Sequence, residues 1–313
     1  MAYIGLQAQI RKNNFRSTWL LLSFPLLLSA MCWAILFAIT LKQSNEYTPF
    51  SLDGVNDKFF MFFPLVLVAV GAWFFIAFIF HNKMIMKATG SKPLERKEDK
   101  RVYNLLENLC ISQGIAKMPA LYIIHDDSLN AFASGIKEGS YAISISQGMI
   151  DKLDDEELKA VIGHELTHIQ NRDTRMLIIS IIFVGIFAFI AEMAIRMRFR
   201  SNKDKNGGLA IAIIVIAALA YFISMIIRFA ISRQREYMAD AGAIDMTKNS
   251  AALASALRKI SQDPCIEAVQ RKDVAQLFIE NPQVVSSSES SWFQKIFSTH
   301  PPINDRIAFL EKL

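Results

Sequence analysis

Cysteine is scarce, and so is charge. Only 3 of the 313 residues are cysteine, at Cys32, Cys110 and Cys265, and no two of them form a CxxC pair. That argues against a thiolate metal site and a disulfide framework. Charged residues make up 20% of the chain, and no GxxxxGK[ST] stretch is present, which argues against a P-loop nucleotide site. The net charge of +5 comes without any basic-aromatic motif, so no nucleic-acid partner is expected. A small-residue cleavage site is missing too. The first apolar run leads into Leu41, Lys42 and Gln43, so it reads as a retained span and not a removed signal.

Apolar residues make up 52% of the chain and include 23 Phe, a membrane-like composition. Four stretches approach the roughly 20 apolar residues that cross a hydrocarbon core. Thr18–Leu41 has 24 residues without a charge, Phe59–Phe80 has 22, Met176–Ala191 has 16, and Leu209–Ile227 has 19. Arg11, Lys12 and Arg16 precede the first span, and Lys83, Lys87, Lys92, Arg96, Lys97, Lys100 and Arg101 follow the second. The positive-inside rule then predicts a four-pass protein with both termini and residues 81–175 in the cytoplasm. The loop after the third span departs from this pattern, with Arg196, Arg198, Arg200, Lys203 and Lys205 on the expected outer side. Glu192 and Arg196, four residues apart, are placed to neutralise each other on a helix.

Chemistry concentrates in HELTH, residues 164–168, within KLDDEELKAVIGHELTHIQNRD. Asp154 or Asp155 can cap a helix here, and Leu158, Val161, Ile162, Leu166 and Ile169 supply an apolar face. His164 and His168 then lie one turn apart, where both imidazoles reach one ion. Glu165 is turned about 100° away, where it can take a proton from an attacking water. A zinc site of this kind needs a third protein ligand and an open fourth position. ISRQREYMADAGAIDM supplies the candidate: Glu236 can ligate, and Asp240, four residues on, can hydrogen-bond a ligand histidine's other nitrogen. A His2Glu donor set favours zinc over other divalent ions. If both segments continue as helices out of the third and fourth spans, the ligands stand about 12–14 Å from the membrane edge at 1.5 Å per residue.

HELTH, a transmembrane hairpin and then EYMAD together resemble the HtpX-type membrane-bound zinc endopeptidases, which are related to the CAAX prenyl proteases. The resemblance covers most of the chain. It implies that His164, His168 and Glu236 bind one Zn2+ and that Glu165 is general base and acid. LNAFASG resembles the family's substrate-binding edge strand, which implies that Asn130, Ala131, Phe132 and Ala133 hold an extended peptide by backbone hydrogen bonds. STHPPINDR resembles the family's His-Pro and Arg element, which implies that His300 and Arg306 stabilise the oxyanion. Read as residues alone, Arg306 is equally suited to pair with an acid. The residue before the second histidine is Thr167, where related peptidases often have Gly.

The expected fold is therefore mainly α with a small antiparallel β element: four transmembrane helices plus a zincin-like, Glu-liganded cytoplasmic peptidase domain. Residues 1–81 would hold two spans, 82–175 the β element and HExxH helix, 176–230 a transmembrane hairpin, and 231–313 the Glu-ligand helix and C-terminal helices. The partners expected are polypeptides, membrane proteins among them, and the bilayer, with no nucleotide. The resemblance implies a bacterial-type inner membrane, a stress-response setting, and quality control of misfolded or damaged membrane proteins at the cytoplasmic face. The rivals are a CAAX-type prenyl protease, which would need more spans, and a non-catalytic scaffold with structural zinc, which would not need Glu165.

Overall fold

The computed structural model describes residues 6–200, 211, 214–222, 233–262 and 301–312. Two long helices come first, α1 (Leu6–Gln43) and α2 (Leu52–Thr89). The chain divides into two compact units. One comprises residues 16–79 and 179–228, and the other comprises 1–15, 80–178 and 229–313.

The first unit is helical and apolar. It contains most of α1 and α2 and the later turns of α6 (Asp173–Arg200). Segments Leu22–Gln43, Leu52–Thr89 and Asp173–Met193 are long and apolar enough to cross a membrane. Phe24 stacks on Phe183 at 4.0 Å, and Leu28, Met31, Ile179, Ile186, Phe187 and Ala220 close the cluster. Outside it, Phe60, Leu65, Val68, Phe75 and Ile76 are exposed, a surface that water would not tolerate and acyl chains would cover. The chain is an integral membrane protein on these features. Of the fourth predicted span, residues 214–222 are helical, and most of the rest lies outside the described residues. The expected Glu192–Arg196 pair forms, with Nε donating to Oε1 at 3.1 Å.

The second unit has a sheet of β1 (Lys92–Pro93), β2 (Ala120–Ile124), β3 (Ala131–Ser134) and β4 (Ala142–Ser146), in the order β1-β2-β4-β3. β3 and β4 form the expected antiparallel hairpin. The sheet as a whole is mixed and not antiparallel, because β2 runs parallel to β4, from Ala120 against Ala142 to Ile124 against Ser146. The chain leaves β2, runs back through β3 and turns again into β4, which lies between β2 and β3, so β2 and β4 point the same way. Among the described residues, β3 is at the edge of the sheet.

Among the described residues, this unit also holds helices α3 (Lys100–Ser112), α4 (Gln147–Lys152), α5 (Asp155–Gln170), α7 (Arg233–Thr247), α8 (Ser250–Ile260) and α9 (Ile303–Leu310). Asp99 caps α3 by accepting from the Val102 N–H at 3.0 Å. The helix then buries Val102, Leu106, Leu109 and Cys110 on one face. These residues join Ile143, Ile145, Leu158, Val161, Ile162, Leu253 and Leu257 in one continuous core. Burial, with the Glu107 charge adding to it, lifts the Cys110 thiol to about 11, so it is a packing residue and not a nucleophile.

The HExxH helix does not run on into the third span. It ends at Gln170, Asn171 caps it, and Arg172 takes a left-handed φ of 60° before α6 starts at Asp173. The straight-helix estimate of ligand height above the membrane therefore does not hold for the two histidines. A left-handed residue ends an α-helix whatever its neighbours prefer.

Candidate metal centre

The site is built on α5 and α7. At the start of α5, the Asp154 side chain accepts from the Glu157 N–H at 2.9 Å, and Glu157 accepts from the Asp154 N–H at 3.0 Å. This reciprocal pair satisfies two of the orphan donors of the first turn. Glu157 also accepts from Ser255 Oγ at 2.7 Å and Lys259 Nζ at 2.6 Å, which pins α5 to α8. Burial alone would raise the Glu157 carboxyl. Lys259, Ser255 and the Asp154 backbone outweigh burial and hold it below the usual range.

From that anchored start, regular helix carries His164 and His168 to one face. Their Nε2 atoms lie 3.1 Å apart. α7 approaches very closely opposite them. A Cβ on Gly242 would lie 2.4 Å from Thr167 Cγ2, and one on Gly163 would lie 3.5 Å from the methyl of Thr247. The methyl of Thr167 thus occupies the space that Gly242 leaves open, while its hydroxyl donates to the Gly163 carbonyl at 2.8 Å. This close packing brings Glu236 to 3.6 Å from His164 Nε2 and 3.7 Å from His168 Nε2.

These atoms fit a small tetrahedral ion. Ligands held at about 2.0–2.1 Å from zinc are about 3.3 Å from one another. Among the described residues, His164, His168 and Glu236 form a group whose donor atoms all lie within 4.8 Å of one another. The outer nitrogens support the same reading, since each is occupied elsewhere. His164 Nδ1 lies 3.0 Å from Asp240 Oδ1, and His168 Nδ1 lies 2.9 Å from Asp173 Oδ2. Both imidazoles are thereby oriented with Nε2 inward. Asp173 is a residue that sequence reasoning missed. The available signal was an acid five positions after the second histidine, but its return to the site depends on the helix break at Arg172.

Asp240 is fully buried and receives a two-point clamp from Arg306: Nε donates to Oδ2 at 2.9 Å and Nη2 to Oδ1 at 2.6 Å. Arg306 is itself 1% exposed, and its Nη1 lies 3.7 Å from Glu236. Of the two readings open for Arg306, this geometry is the acid pair. Burial would raise the Asp240 carboxyl, but the Arg306 charge and the bonds from His164 and Arg306 hold it below its ordinary value. Burial likewise disfavours a charged His164, yet hydrogen bonds to Asp240 and Glu236 lift it to about 9.

Glu165 is 2% exposed and sits beside the two histidines. Burial raises its carboxyl; the His164 and His168 charges and a hydrogen bond from the Ala133 N–H oppose the rise, and Glu236 adds to it. That bond ties the acid to β3. Ser146 donates its N–H to the Asn130 carbonyl at 3.0 Å, and Phe132 pairs with Ser144. By the alternation of antiparallel pairing, Ala131 and Ala133 turn their backbone groups away from β4. The Ala131 N–H is met there by Asn130 Oδ1 at 3.1 Å. Asn130, Ala131, Phe132 and Ala133 are thus at the sheet edge and buried, with Ala133 against Glu165. His300 lies outside the described residues.

The profile of peptidase family M48 matches residues 96–313. A protein named Protease HtpX homolog from Bacteroides fragilis (strain YCH46) is 52% identical, covering 100% of both chains. A Protease HtpX homolog from Dictyoglomus thermophilum is 35% identical, covering 96% of this chain and 92% of its own. Among solved structures, the crystal structure of S. mikatae Ste24p matches with a TM-score of 0.46 at 20% identity, covering 79% of this chain and 56% of that one.

Proposed function

This chain belongs to peptidase family M48, and on that premise we propose that it hydrolyses internal peptide bonds at a zinc centre formed by His164, His168 and Glu236. The observation that carries the reading is the paired anchoring of the histidines. Asp240 and Asp173 take the two Nδ1 atoms, leaving both Nε2 atoms 3.1 Å apart and facing Glu236. Bound zinc would supply Lewis acidity towards the scissile carbonyl and towards water.

The chain's own residues supply the rest. Glu165 takes a proton from the attacking water and passes it to the leaving amine. A carboxylate in this position can serve both halves of that transfer. The β3 edge is buried as it stands; once uncovered, its Ala131 and Ala133 carbonyls would pair with an extended peptide bound as an added strand. The Ala133 N–H meanwhile holds Glu165 next to the line that such a peptide would follow. Recognition through backbone groups reads little sequence, which suits a substrate class of unfolded segments. Arg306 acts through Asp240 in this reading, keeping it charged and fixed so that it can orient His164.

The finer setting follows from charge and topology. Basic residues before the first span and after the second support a cytoplasmic active site in a four-pass, bacterial-type inner-membrane protein. The unit that carries the site is tethered by the chain itself to the candidate membrane spans, which supports quality control of damaged membrane proteins as the role.

Detergent-purified wild type and Glu165→Gln, compared for zinc content and casein cleavage, test the mechanism. The expected result is about one zinc in each, with cleavage lost by about 10²–10⁴-fold in the variant. Equal cleavage by both proteins would remove Glu165 from its role, and absence of zinc from both would remove the metal centre.

A further inference from the structure

Asp173 is the first residue of α6, yet its carboxylate reaches back to a ligand histidine instead of outward. Three features make this possible. Asn171 ends α5, with its N–H bonded to the Thr167 carbonyl at 2.9 Å. Arg172 adopts φ 60°, reversing the chain in a single residue. The guanidinium of Arg172 then donates to Asn14 Oδ1 at 3.2 Å, which fastens the turn to the early part of α1. The result is a carboxylate 2% exposed and 2.9 Å from His168 Nδ1. A left-handed conformation at a non-glycine residue costs about 1–3 kcal/mol and persists where surrounding structure requires it. Here the conformation serves the contact that it creates.

We propose that Asp173 is a positioning residue for the metal centre: it holds the proton of His168 on Nδ1, aims Nε2 inward, and makes retention of the ion depend on the first turn of the helix that becomes the third candidate span. The inference rests on the metallopeptidase reading above. His164 is held through Asp240 and Arg306, from α7 and α9, whereas His168 is held only five residues downstream, at the entrance to a membrane helix. The two histidines are therefore oriented from different parts of the chain, and a shift of α6 would act on one of them alone. A carboxylate on a ligand histidine's outer nitrogen fixes the tautomer and raises ligand basicity, and losing it typically weakens metal binding by about 10–100-fold.

The test uses the full-length protein in detergent, with zinc affinity measured by competition against a chromophoric chelator. Asp173→Ala should bind zinc about 10–100-fold more weakly than wild type. Asp173→Asn, whose amide oxygen still accepts from Nδ1–H, should recover most of that loss. The Co2+-substituted proteins provide a second readout, because ligand geometry sets the position of the visible d–d bands. Asp173→Ala should shift these bands, and Asp173→Asn should keep them near wild type. Wild-type affinity and bands in Asp173→Ala would overturn the proposal, as would Asp173→Asn as weak as Asp173→Ala. If the alanine variant does not fold, Asp173→Leu, which fills the same space without an acceptor, takes its place under the same criteria. Failure of the wild type to bind zinc would instead overturn the metallopeptidase reading itself, so the two failures are distinguishable.

Discussion

Arg306 is 1% exposed, and its positive charge is met by Asp240, which is fully buried. A pair this deep is strongly coupled, because removing one member leaves the other charged without water. Arg306→Met is therefore expected to lower stability by about 3–5 kcal/mol. Arg306→Met with Asp240→Asn should regain part of that loss, and thermal unfolding in detergent measures both. Arg306→Lys keeps the charge but not the two-point fork, and it should fall between wild type and Arg306→Met. The spacing of four between His164 and His168, and again between Glu236 and Asp240, was readable because a helix returns to the same face at that interval. Asp173 was not readable, because its path to His168 runs through a left-handed Arg172, and nothing in an arginine side chain announces that conformation.

At the scale of elements, the centre depends on how closely α5 and α7 approach. Thr167 and Gly242 are complementary in volume: a Cβ at 242 would come within 2.4 Å of Thr167 Cγ2. Gly242→Ala is expected to cost about 1–3 kcal/mol by overpacking and to weaken zinc binding by pushing Glu236 away from the histidines. Adding Thr167→Gly should restore zinc affinity towards wild type, less about 1 kcal/mol of stability lost to glycine inside a helix. Zinc titration of the single and double variants decides this. The edge strand within LNAFASG was visible in the sequence. The parallel pairing of β2 with β4 was not, since buried strands show the same apolar run in either direction. The break between α5 and α6 was hidden for a related reason: QNRD contains neither glycine nor proline to mark it.

At the scale of the whole molecule, the ion would fasten together segments distant in sequence. His164 and His168 belong to residues 80–178, and Glu236 to residues 229–313 of the same unit. A ligand that binds only the folded form stabilises it, by about 2.7 kcal/mol at a concentration 100-fold above Kd. Chelation should therefore lower the melting temperature of the purified protein and zinc should restore it, with Glu165→Gln responding like wild type; differential scanning calorimetry measures this. The membrane class was legible from composition, because an apolar run of some twenty residues has few other uses. The four-pass count draws on Leu209–Ile227, of which residues 214–222 are described as helix.

The chain order of the site also bears on its synthesis. The two histidines leave the ribosome first, and residues 179–228, which belong to the apolar unit, are made before Glu236 exists. On the proposed reading, a half-made chain thus has Glu165 but an incomplete set of ligands. Proteolytic competence arrives only when the intervening helices have been made and the late helix has folded back. On the function proposed above, the enzyme is in this way kept harmless while its own chain is still unfolded.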